Sequence, residues 1–62
     1  MMLNLKVARV KKQYTQTDLA VKIGVSLTTV SSWEIGRGKP SMDNLIKLSN
    51  ILEISIDELV KK

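Results

Sequence analysis

The chain has 62 residues with no cysteine and no histidine, which excludes disulfides and leaves a zinc site without its usual ligands. Apolar residues make up 44% of it but aromatic residues only 3%, so any core must be built mostly from Leu, Ile and Val. Ten Lys and Arg against six Asp and Glu give a net charge of +4, which suits a polyanionic partner, although plain solubility accounts for a charge of this size too.

Such a length fits one domain, residues 1–62, near the lower limit for folding without a staple. No apolar run approaches the ~20 residues that cross a membrane, and the N-terminus lacks a signal-peptide pattern, so a soluble, cytoplasmic protein is expected. An enzyme has almost no support: the chain offers no clustered carboxylates with a pocket and too little length to enclose one. No metal, cofactor or small-molecule ligand is indicated.

Met1 to Lys12 reads as a first helix, with Asn4 a candidate cap if the first residues are frayed. Leu5, Ala8 and Lys12 mark one side at helical spacing, while Val7 and Val10 lie off that stripe, either half-exposed or in a second contact. Tyr14 follows as the apolar anchor of the link. Thr15 caps a second helix, and Asp18 three residues later completes a capping box with Asp in place of Glu. Leu19, Ala20 and Ile23 share one side of it, and Gly24 ends it, because glycine readily adopts the positive φ of a helix C-terminus.

Val25 is an apolar plug, and Ser26 caps a third helix of about residues 26–35. There Val30 and Trp33 share the inward face, and Thr28, Ser31 and Ser32 fall on the other side. Helix, short turn, and a helix lined with hydroxyls make a helix-turn-helix, with its core at about residues 16–35. Gly36 and Gly38 mark a loop. Its fragment GRGKP is not a nucleotide-binding phosphate loop, since the spacing is wrong, proline follows the lysine and no strand precedes it. Ser41 caps a fourth helix with Asp43 in its first turn and Leu45, Leu48 and Leu52 as its buried stripe. Ser55 caps a last short helix with Glu58 at the capping-box position, and Leu59 points inward. The expected fold is all-α, a compact bundle of about five short helices.

The pattern resembles the lambda-repressor-like helix-turn-helix family of phage repressors and Cro proteins. Gln16, Leu19, Ala20, Gly24, Val25, Ser26, Val30, Ser31, Trp33, Glu34, Gly36 and Pro40 carry the match. Arg9 precedes them at the family's spacing, and Leu45, Leu48, Leu52, Ser55 and Leu59 follow, so nearly the whole chain is covered. The resemblance implies an ion pair between Arg9 and Glu34 that ties the first helix to the end of the third. It also implies a phosphate contact by Gln16, for which the free N–H groups of a helix N-terminus give a physical basis. Gln13 and Glu53 stand where the family often has glycine, so both turns are expected to be less favourable here.

The implied function is sequence-specific binding of double-stranded DNA by a transcriptional regulator, a repressor in the first instance. The helix 26–35 then enters the major groove and presents Leu27, Thr28, Ser31 and Ser32 to base edges, although Leu27 also suits core packing against the turn. None of these four reads guanine or adenine bidentately, so DNA shape or a dimer must supply part of the selectivity. Arg37 and Lys39 are candidates for phosphate contacts beside Gln16. Ile51, Ile54, Ile56 and Val60 offer more apolar surface than so small a core covers. Because the family often dimerises here, Ile51, Ile56 and Val60 are expected to form a homodimer contact. The alternative is an antitoxin-like or partner-regulated protein-binding module on the same fold.

Overall fold

A computed structural model describes residues 3–61. Its helices are α1 (Leu3–Lys11), α2 (Gln16–Ile23), α3 (Leu27–Ile35), α4 (Met42–Leu52) and α5 (Ile56–Val60). The first helix expected from Met1 thus begins at Leu3 among the described residues, and positions 1 and 2 lie outside them.

Helices of 5 to 11 residues are too short to hold together in water by themselves, so packing and caps must do it. The caps fall at the positions expected from the sequence. Thr15, Ser26, Ser41 and Ser55 are extended N-caps whose side chains accept from the backbone N–H groups of Asp18, Thr29, Asn44 and Glu58. At α2 the box is complete, because the Asp18 carboxylate also accepts from Thr15 N at 2.9 Å. Hydrogen bonding from Thr15, through its backbone N–H foremost and its side chain next, holds the Asp18 carboxyl below the usual carboxylate range.

Leu5, Leu19, Val30, Leu48, Leu52 and Leu59 are fully buried, and Ala8, Ala20, Ile23 and Trp33 complete the core. One face from every helix therefore meets in the middle. Each of the buried Leu, Ile and Val side chains contributes about 1.5–3 kcal/mol of burial free energy. Tyr14, Val25, Leu45, Ile51 and Ile54 pack around this centre half-buried, so the α4 stripe is deepest at Leu48 and Leu52 and shallower at Leu45. Tyr14 also carries the Lys22 ammonium 4.9 Å above its ring. Val7 and Val10 are half-exposed, as their offset from the α1 stripe implies.

Asn4 does not cap α1. It lies inside the helix, and its side-chain Nδ2 donates to the Glu58 carbonyl at 2.6 Å, clasping α1 to α5. Lys12 lies just beyond α1 and pairs with Glu53 past the end of α4. Both residues that stand where the family often has glycine take the left-handed conformation, Gln13 at φ 62° and Glu53 at φ 56°, which bears out the less favourable turns expected there. Gly24 and Gly36, at φ 87° and 82°, close α2 and α3 in the same region.

Candidate nucleic-acid interface

The third helix is held from three sides. Val30 and Trp33 sink its inner face into the core, the turn Gly24–Ser26 ties its start to α2, and Glu34 anchors its end to α1. The Arg9–Glu34 pair is bidentate: Arg9 Nε donates to Glu34 Oε2 at 2.6 Å and Arg9 Nη2 donates to Oε1 at 3.1 Å. Both side chains are largely enclosed, with 10% and 4% of their surface exposed. A third donor, Arg9 Nη1, reaches the Tyr14 carbonyl at 2.8 Å, so the guanidinium also fixes the chain entering α2. Burial pushes the Glu34 carboxyl upward, but hydrogen bonds from Arg9 and Gln16 and the nearby positive charges outweigh it. The net result is a value below the ordinary range.

Sequence reasoning misses one member of this cluster. Gln16 Nε2 donates to Glu34 Oε1 at 3.0 Å, joining the first residue of α2 to the end of α3. The two positions are 18 residues apart, so no local pattern signals the contact, and only the phosphate contact implied by the resemblance points to Gln16 at all.

The outward side of α3 is graded. Leu27 is 47% exposed and Thr28 is open to solvent, whereas Ser31 and Ser32 are half-buried. Thr28 therefore projects as expected, but Ser32 does so only in part. The loop after α3 is the reason: Arg37 N and Gly38 N both turn back to the Ser32 carbonyl, at 2.9 and 3.4 Å. The same fold-back sets Gly38 beside the Trp33 indole and the Ser32 side chain, which a Cβ at that position would meet at 3.8 and 3.9 Å. Thr29, between these positions, commits its hydroxyl to Ser26 Oγ at 2.8 Å. Arg37 and Lys39 are exposed in that loop.

Of the residues expected at a subunit contact, Ile51 is half-buried against the chain's own core, Ile56 is half-buried, and Val60 is 45% exposed. Ile35, Met42 and Ile46 are exposed aliphatic positions of similar weight that no sequence pattern singles out. Among the described residues no group of acidic side chains could hold a metal ion, and no helix is long and apolar enough to cross a membrane.

A turn-linked helix pair, the second capped at its start, cored on one side and lined with small polar groups on the other, defines a helix-turn-helix domain. The chain belongs to the Cro/C1-type helix-turn-helix family, whose model matches residues 5–59, a family of DNA-binding transcription regulators. Among curated proteins it is similar to the cryptic phage CTXphi transcriptional repressor RstR of Vibrio cholerae serotype O1. That match is 53% identical over 45 residues, 73% of this chain and 40% of that protein. It is also similar to the HTH-type transcriptional regulator YqaE of Bacillus subtilis, at 40% identity over 58 residues, 94% of this chain and 50% of that protein. Repressor protein C2 of Salmonella phage P22 is 35% identical over 57 residues, 92% of this chain and 26% of that protein. The chain thus spans half or less of the length of these relatives. No solved structure gives a significant match.

Proposed function

We propose that this domain represses transcription by seating α3 in the major groove of double-stranded DNA. The observation that carries the reading is the exposed, Ser26-capped start of α3, where Leu27 and Thr28 stand clear of the protein while the rest of the helix is fastened by Trp33 and Glu34. A helix presented by its N-terminal turn fits the geometry of major-groove readers. Thr28 contacts a base edge through its hydroxyl and methyl, Leu27 meets a thymine methyl, and Ser31 and Ser32 contribute single or water-bridged hydrogen bonds. Gln16 at the start of α2, with Arg37 and Lys39 in the loop after α3, engages phosphates. Names such as transcriptional repressor among the relatives support repression. A cytoplasmic location follows from the same role.

Two copies read paired half-sites through a contact centred on Val60 and Ile56, with Ile51 adding what its own core leaves uncovered. Selection from a random duplex pool tests the whole reading. The expected product is a pair of symmetric half-sites about one helical turn (~34 Å) apart. Failure to retain any duplex at low salt overturns it, and an unpaired site overturns the dimer alone.

A further inference from the structure

We infer that Glu34 is a positioning residue for the Gln16 amide, holding it in the orientation from which it donates to a DNA phosphate; this rests on the proposed DNA binding by α3. The carboxylate does two things at once. Its Oε2 takes Arg9 Nε at 2.6 Å, while its Oε1 is shared between Arg9 Nη2 at 3.1 Å and Gln16 Nε2 at 3.0 Å. An ionised carboxylate only accepts, so it selects the amide nitrogen and turns the Gln16 carbonyl away. One N–H of that nitrogen is committed to Glu34, and the other is left to donate to a phosphate oxygen. Without the carboxylate the amide is free to rotate, and a carbonyl facing a phosphate repels it.

Two further features suit this role. A bare carboxylate beside a phosphate is unfavourable, but the enclosed Arg9 guanidinium offsets its charge, leaving the cluster neutral at the α2 start. The same guanidinium grips the Tyr14 carbonyl at 2.8 Å, so the residues just before and just after the Thr15 cap are both tied to one ion pair. Gln16 therefore loses its rotamer freedom when the chain folds rather than when DNA arrives, which is how pre-ordered contacts gain affinity.

A double-mutant cycle on the full chain tests this, with Gln16→Met, Glu34→Gln and their combination measured for duplex affinity at a temperature where circular dichroism shows each folded. Gln16→Met should weaken binding about five-fold, the scale of one hydrogen bond. Glu34→Gln should weaken it similarly, because the substituted amide has one carbonyl oxygen, which Arg9 claims. In the Gln16→Met background the second substitution should then cost little more. Losses that multiply independently overturn the positioning role, whereas a wild-type chain that ignores duplex DNA overturns the underlying reading with it. A second readout needs no DNA. The Gln16 side-chain amide should give displaced, exchange-protected proton resonances in the wild type, and a free-amide signature there overturns the inference even if Glu34→Gln fails to fold.

Discussion

An ionised side chain enclosed by protein must be matched, and this governs the effect of removing either half of the Arg9–Glu34 pair. Replacing one partner strands the other, at a cost of about 3 kcal/mol in favourable enclosure. Arg9→Ala should therefore lower the midpoint of thermal unfolding steeply, as followed by circular dichroism, whereas an exposed change such as Lys39→Ala should leave it nearly unmoved. Acid should probe the same contact. The Glu34 carboxyl titrates lower in the folded than in the unfolded chain, so the unfolded state binds more protons and stability rises with pH there. The contribution is present above the ordinary glutamate value of ~4.3 and is lost as the pH falls through the lower folded value. Wild-type stability should drop across that window, and Glu34→Gln should flatten the drop. The pair itself was legible in the sequence because family spacing joined Arg9 to Glu34. The Gln16 and Asn4 hydrogen bonds were not, since each joins positions whose proximity exists only after the helices have packed.

At the scale of helices, the boundaries were readable because the chemistry that sets them is local. A hydroxyl three residues before a backbone N–H is visible in sequence, and Thr15, Ser26, Ser41 and Ser55 all act as the pattern requires. Coverage of the outer face was not readable in this way. Ser32 and Thr28 look alike on a helical wheel, yet the loop that folds back to the Ser32 carbonyl screens one and not the other. Two substitutions separate backbone conformation from contact. Gly24 has φ 87° and nothing within 4 Å of where a Cβ would stand, so Gly24→Ala should cost ~1–2 kcal/mol through the backbone alone. Gln13→Gly, at φ 62° on an exposed side chain, should stabilise by about 0.5–1 kcal/mol for the opposite reason. Chemical denaturation of both variants checks the pair, and a loss of stability in the glycine variant would show that Gln13 makes a contact worth more than its strain.

For the molecule as a whole, the proposed binding divides its work between charge and shape. Phosphate contacts release counterions, so affinity should fall steeply with salt, and Arg37→Ala should weaken every sequence while lowering the logarithmic salt slope by about 1. Thr28→Ala should instead change which duplexes are preferred while leaving that slope unchanged, measured over the same series of salts; equal losses on all sequences would remove Thr28 from the base-reading set. Selectivity resting on short hydroxyls and aliphatic groups is modest per position. The exposed Val60 edge is where a second copy would multiply it.

Trp33 is the sole tryptophan of the chain, only 3% exposed, and it sits in the helix proposed to read DNA with Gly38 of the cation-bearing loop beside its indole. The protein thereby carries its own optical reporter: emission should shift to longer wavelength when the bundle melts and change in intensity when a duplex presses that loop into place. Folding and docking could both be tracked on one unlabelled sample, with Tyr14 as the only other aromatic contributing light.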